Sequence, residues 1–235
     1  MPARRALVVR GGWEGHSPTE TTDLFLPFLE RSGFEVRVEE SGEVYADADL
    51  MTATDLILQC VTMSEISRGA TDGLRAAVAN GTGLAGWHGG IADSYRGSSD
   101  YLQLIGGQFA AHPSKDPSVA TGGPSDNFLP HMIEITDLGR GHEITSGIGD
   151  IRLETEQYWV LTDGLNDVLA TTTHPAQAHH SWHRAITTPA VWTRQWGHGR
   201  VFVATPGHSV DVLQNEQIRT VIERGLLWAS RTESE

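Results

Sequence analysis

Three histidines stand where an α/β protein would display its chemistry. His16 closes the glycine-rich turn RGGWEGHSP, His88 sits in GLAGWHGGIADSY, and His208 ends GRVFVATPGHS. Each follows an apolar run that reads as a strand. In open α/β sheets ligands bind beyond the carboxyl ends of the strands, near a topological switch point. Their shared placement therefore points to one site drawing on at least two of the three, although a lone histidine after a strand is more often a capping or packing residue. His88 would be a poor covalent nucleophile at a strand-to-helix corner, but an imidazole can move protons or bind a metal near neutral pH. The glycines around it allow a tight turn and close approach. Asp93 and Tyr95 lie near enough in sequence to share the pocket, and on packing alone Trp87 reads as core.

Other chemistry-bearing residues are less distinctive. ETEQYW places Glu154, Glu156 and Tyr158 on one strand face by period two. Pattern alone favours a solvated face, with Trp159 as the core contact; a buried glutamate there would be a general base of raised pKa. His174, His179, His180 and His183 crowd THPAQAHHSWHRA. His179 and His183 have i,i+4 spacing, but no HExxH accompanies them, and a polar loop is the favoured reading. Cys60, the single cysteine, ends the apolar run LILQC and reads as a small buried hydrophobe rather than a thiolate. GGWEG after the first strand is neither GxGxxG nor GxxxxGK[ST], and no GxSxG occurs, so neither dinucleotides nor triphosphates are implied there and the nucleophile-elbow signature fails.

The elements that must position these residues follow from hydrophobic periodicity. Leu7–Val9 form a buried first strand. SPTE, with Pro18 at the first helical position, predicts a capping box opening a helix towards Arg31, with Pro27 as a kink. FEVRVEE and DLILQC read as the next two strands. SRGATDGLRAAVANGTG reads as a helix and GLAGWH as a strand, an order of β-α-β-β-α-β with a parallel sheet covered on both faces. SDYLQLIGGQF predicts a short helix before a loop rich in Pro, Gly and Ser. HMIEIT, IRLETEQYWV, DVLATTTH, PAVWTRQW and GRVFVATP are strand-like. VDVLQNEQIRTVIERGLLWAS reads as one amphipathic helix with Ile218, Val221, Ile222, Leu226 and Leu227 inward. No repeat or linker divides the chain, so a single domain over 1–235 is expected.

Composition narrows the function. The 235 residues carry 30 acidic and 17 basic side chains, a net charge of −13, with no basic block, so a nucleic-acid partner is not expected. No apolar stretch approaches membrane-spanning length, and the N-terminal apolar run ends at Arg10, too short for a secretory signal. With one cysteine, a cytoplasmic location is expected.

The segments GGWEGH, GTGLAGWHGG, DYLQLIGGQFAAHP, GHEITSGI, ETEQYW and PAVWTRQWGHGRVFVATPGHS occur in an order that resembles the ThuA-like proteins, named for trehalose utilisation, within the class I glutamine amidotransferase-like superfamily. Glu143 departs from the family's usual His-Pro, and the His-rich segment has no family counterpart. The resemblance implies a flavodoxin-like, doubly wound, mostly parallel sheet with helices on both faces. It also implies sugar metabolism without glutaminase chemistry, since the corner that carries cysteine in true amidotransferases reads Gly-Trp-His-Gly-Gly. The implied pocket comprises His88, Glu156 and His208 as acid/base groups, with His16, Trp87, Asp93, His112 and Tyr158 as substrate contacts. His16, Glu156 and His208 could also hold a divalent metal, zinc or manganese, against an enediol. The expected partner is a small-molecule sugar, with a homo-oligomer left open. The competing reading is a non-catalytic sugar-binding or regulatory module with an aromatic cleft from Trp13, Trp87 or Tyr158.

Overall fold

A computed structural model describes residues 4–231. In chain order the first half runs β1 (Arg4–Gly12), α1 (Pro18–Asp23), α2 (Leu26–Arg31), β2 (Phe34–Glu39), α3 (Ala48–Ala53), β3 (Leu56–Thr62), α4 (Arg68–Ala79), β4 (Gly83–Trp87), α5 (Gly89–Ala92) and α6 (Ser99–Ile105). The second half continues β5 (Gly107–Ala111), β6 (Phe128–Ile135), α7 (Asp137–Gly141), β7 (Ile151–Glu156), β8 (Trp159–Thr162), β9 (Asp167–His174), β10 (Ile186–Trp196), β11 (Gly199–Ala204), α8 (Val210–Gln214) and α9 (Glu216–Ala229). Eleven strands are described: nine join one sheet in the order β2-β1-β3-β4-β11-β10-β9-β6-β7, while β5 and β8 form a separate antiparallel pair.

Strands β2, β1, β3, β4 and β11 are parallel, and β10, β9, β6 and β7 pair antiparallel. Alternation divides the core. Ala6 and Val8 of β1 face Phe25, Leu29, Ile218 and Ile222, while Leu7 and Val9 face Leu74, Val78 and Tyr101 on the other side. Burial on both faces is why Leu56, Ile57 and Leu58 read as a continuous apolar run. The architecture is a flavodoxin-like, doubly wound α/β fold extended by an antiparallel wing.

Several local expectations change. The 18–31 helix is two helices, broken at Leu24 and Phe25, with Pro27 in the first turn of α2 where its missing N–H costs nothing. The capping box does not form: Ser17 is left-handed at φ 45, and its side chain makes no cap bond. α3 and a short 3-10 turn at Gly42–Ala46 fill the expected β-β connection; Asp47 caps α3 by accepting from the Leu50 N–H at 3.0 Å. IRLETEQYWV is two strands in different sheets, β7 and β8. The C-terminal helix restarts at Asn215, which caps α9, and Leu227 is exposed rather than inward.

Two features bring the strand ends together. β6 pairs β9 only through Glu134 and Ile135, so its first residues and the end of β7 can bend over the sheet edge. In a flat sheet the four spacings from β11 to β7 would hold them about 19 Å apart. Gln157 then anchors the bend, donating from Nε2 to Thr172 Oγ1 at 2.7 Å and to the Thr173 carbonyl at 3.0 Å.

A buried polar knot fixes the corner after β4. Gln59, inside β3, accepts from Tyr45 Oη at 2.9 Å and donates to Ser94 Oγ at 3.0 Å and to Tyr101 Oη. Ser94 Oγ donates to the Gly90 carbonyl at 2.8 Å. Replacing Gln59 by Leu strands buried hydroxyls, so Gln59→Leu should lose about 2–4 kcal/mol in urea unfolding. A loss below about 0.5 kcal/mol would show that the knot is not structural.

Candidate functional site

β1, β3, β4, β9, β11 and β7 all end on one edge of the sheet, as their registers require. His16 ends a 3-10 turn after β1, His88 follows β4, His208 follows β11, and Glu156 is the last residue of β7. His88 adopts φ 49, ψ −141, a conformation few non-glycine residues take, and its N–H donates to the Ala204 carbonyl at 2.7 Å. This strained strand-to-helix corner is where other α/β enzymes hold a nucleophile; here it projects an imidazole. Gly89 is required beside it, because a Cβ there would lie 2.5 Å from His16 Cε1. The GG of GWHGG therefore serves close approach.

Three imidazoles surround one carboxylate oxygen. Glu156 Oε2 lies 3.2 Å from His88 Nε2, 3.3 Å from His208 Nδ1 and 4.0 Å from His16 Nε2. His112 Nε2 approaches the other oxygen, Oε1, at 3.7 Å. Tyr158 stacks on His88 with centroids 4.0 Å apart, and Phe128 meets His208 edge-on at 5.0 Å. Outer partners fix the rings. The His88 Nδ1–H donates to the Thr205 carbonyl at 2.8 Å, since a carbonyl can only accept, and His16 Nδ1 is hydrogen-bonded to Thr62 Oγ1 at 3.1 Å.

The electrostatics follow from burial. Desolvation, helped by neighbouring His88 and His208, pushes the His16 pKa down to about 3. Burial also lowers that of His88 against the opposing pull of Glu156. At Glu156 burial opposes ionisation, and only a donated hydrogen bond or positive charge at the His208 and His88 side holds the carboxyl below its usual range. Burial thus disfavours the charged forms of His16 and His88 beside the carboxylate. A neutral His88 with Nδ1–H given to Thr205 aims a lone pair from Nε2 at Glu156, and buried His208 Nδ1 has no hydrogen-bond partner. Two acceptors facing each other at 3.2 Å call for a proton or a metal cation between them.

A divalent cation fits that demand. His16, His88, Glu156 and His208 each offer one ligand atom, all within 4.8 Å of one another. Tetrahedral ligands about 2.0–2.2 Å from zinc lie about 3.3–3.6 Å apart; Glu156 to His88 and His208, at 3.2 and 3.3 Å, come close to this, while His16 at 4.0 Å would have to close in. His and carboxylate donors suit zinc or a related transition metal.

The remaining sequence candidates divide. Glu156 is buried, against the solvated-face expectation, while Glu154 is exposed as expected, because the chain turns at the end of β7. Trp87 is no substrate contact: it is 1% exposed and packs on Phe25 at 4.8 Å. Asp93 is buried beside the site, and Arg96 engages and neutralises both of its carboxylate oxygens. Trp159 is only half-buried, stacked on His174, while Tyr158 takes the deeper position. In the His-rich segment, His174 is a buried strand residue bonded to Thr188 Oγ1 at 3.2 Å, and residues 175–185 form no helix. Sequence reasoning missed Thr62 and Thr205, which orient His16 and His88, and Phe128. The two threonines end apolar strand runs, a usable signal; Phe128 has none.

A doubly wound α/β protein carrying a His₃Glu centre at its strand ends is the class that fold and site define. Residues 5–229 match the ThuA family, described as trehalose utilisation, and the chain belongs to that family. Among solved structures, a ThuA-like protein from Bacteroides uniformis is 15% identical over 97% of this chain and 91% of its own, with a TM-score of 0.72. One from Parabacteroides merdae is 14% identical, covers 100% and 93%, and has a TM-score of 0.71. A cytoplasmic protein of Salmonella typhimurium is 14% identical over 97% of this chain and 100% of its own, with a TM-score of 0.63. At these identities the likeness is one of fold. No curated protein matches the sequence. Among the described residues, no helix is long and apolar enough to cross a membrane.

Cys60 lies inside β3, 2% exposed, and burial pushes its thiol up to about 12. It cannot act as a glutaminase nucleophile. Native protein at pH 8 should therefore leave Cys60 unmodified by a thiol-specific disulfide reagent, and unfolding in guanidinium should release one reactive thiol. Rapid reaction of the native protein would contradict the assignment.

Proposed function

We propose that this protein is a carbohydrate-catabolism enzyme that moves protons on a sugar or keto-sugar, with His16, His88, Glu156 and His208 holding a divalent metal such as zinc or manganese. The observation that carries the reading is the convergence of three imidazoles, His16 and His88 buried and His208 largely so, on one carboxylate oxygen. Family membership, described as trehalose utilisation, supports the sugar class. A cation bound there would polarise a substrate carbonyl or hydroxyl and stabilise negative charge developing on that oxygen.

The chain's own residues supply the rest. His112 is the most exposed imidazole of the group, with 27% of its side chain accessible, and approaches Glu156 from the oxygen that the other three leave free. It is the group placed to take a proton from, or return one to, a carbon or hydroxyl next to the substrate carbonyl. Tyr158, kept neutral by burial, packs on His88 and holds water away from it. A cytoplasmic setting suits this chemistry and is supported by the single unpaired cysteine.

Metal analysis of protein purified without chelator tests the centre. About one zinc or manganese per chain is expected, lost in both Glu156→Gln and His208→Ala. Metal retained by both variants, or none in the wild type, would overturn the metal centre. His112→Ala should keep the metal yet exchange the proton next to a keto-sugar carbonyl with deuterated water at least about 100-fold more slowly, read by NMR. Unchanged exchange would remove His112 from the chemistry. Sugar binding with no exchange in the wild type would favour a binding module instead.

A further inference from the structure

Beside the centre, the turn after β3 and the loop between α5 and α6 enclose a cavity of about 450 Å³, a size that ordinarily accepts a small ligand. We propose that it is a second subsite, taking a neutral polyhydroxylated ring beyond the one held at His16, His88, Glu156 and His208. This rests on the saccharide reading above and adds to it where a second ring goes.

The cavity adjoins the centre on two sides. Met63 lines it and directly follows Thr62, whose hydroxyl orients His16. Arg96 also lines it; its guanidinium lies over Phe109, and Phe109 packs on both Tyr158 and His112. The wall is held in an unfavourable shape. Met63 has φ 49 with a side chain left exposed, although its N–H is secured to the Asp93 carbonyl at 2.9 Å and the Ser64 N–H to the Ser94 carbonyl at 2.8 Å. Exposed apolar surface on strained backbone is a combination found at ligand clamps. Trp13 lies between the Thr62 turn and His16. Its N–H donates to the Thr62 carbonyl at 2.9 Å, and its indole, 48% exposed, meets the His16 ring at 4.8 Å.

The lining selects the ligand's charge. Arg96 gives Nε–H and one Nη2–H to Asp93, which neutralises it and leaves its other donors free. Glu65 brings an acceptor and a negative charge, Ser64 and Ser98 bring hydroxyls, and Met63 and Ile66 bring apolar surface. Mixed donors, acceptors and an apolar face fit a sugar's hydroxyls and its C–H surface. A phosphorylated ligand would face Glu65 and find no uncompensated cation.

Gly97 offers a clean test. It lines the cavity, its φ is unstrained, and a Cβ there meets nothing within 4 Å, so Gly97→Trp can fill the space without disturbing the fold. Titration calorimetry on the metal-loaded protein, with glucose and trehalose as probes, should give trehalose at least about tenfold the affinity of glucose in the wild type. Gly97→Trp should abolish that advantage and leave glucose binding and the unfolding midpoint unchanged. Equal wild-type affinities, an advantage surviving in Gly97→Trp, or preference for glucose 6-phosphate over glucose would overturn the subsite while leaving the saccharide reading intact. Binding of neither sugar would overturn both.

Discussion

The rest of the structure depends on burying one carboxylate. Taking Glu156 out of water is unfavourable unless positive charge or hydrogen bonds answer it. The protein surrounds it with His16, His88 and His208, and burial disfavours the charged forms of His16 and His88, so those two do not neutralise it. An arrangement that leaves lone pairs facing an anion would be self-defeating as a structural ion pair. It is coherent as a ligand set, where neutral imidazole and carboxylate are the binding forms.

The fold serves that constraint from both ends of the chain. The parallel half delivers His16, His88 and His208 to the ends of β1, β4 and β11 on one sheet edge, and one of them needs a strained corner kept in place by the Gln59 knot. The antiparallel wing exists, on this view, to carry Glu156 back across the sheet edge. That explains why β6 separates from β9 after two paired residues and why Gln157 is tied to Thr172 and Thr173. Thr205 and Thr62 then set ring orientation, so the centre is preorganised by backbone and hydroxyl contacts that owe nothing to a ligand.

The sequence made the parallel half legible because doubly buried strands announce themselves as apolar runs, as Leu7–Val9 and Leu56–Leu58 do. The three histidines were legible as a group for the same reason, since each follows such a run. Glu156 was not. Period-two reasoning put it with exposed Glu154, but strand periodicity ends where the chain bends, and the bend comes from long-range pairing that no local pattern records. Ser17 failed as a cap because the preceding 3-10 turn, which seats His16, forces it left-handed. Asp93 was drawn into the pocket by proximity to His88, where Arg96 grips it, and Trp87 entered with the family-implied set although packing alone read it as core, which its contact with Phe25 bears out. The split of IRLETEQYWV was invisible because both pieces have strand composition and differ only in partner.

The central claim is that four named side chains surround one cation, and anomalous X-ray scattering tests it most directly. Crystals of protein purified without chelator, measured above and below the zinc and manganese absorption edges, should show one strong peak about 2.0–2.2 Å from a nitrogen of His16, His88 and His208 and from Glu156 Oε2. No peak there in crystals soaked with either metal, or a peak among His174, His179 and His180 instead, would contradict the account.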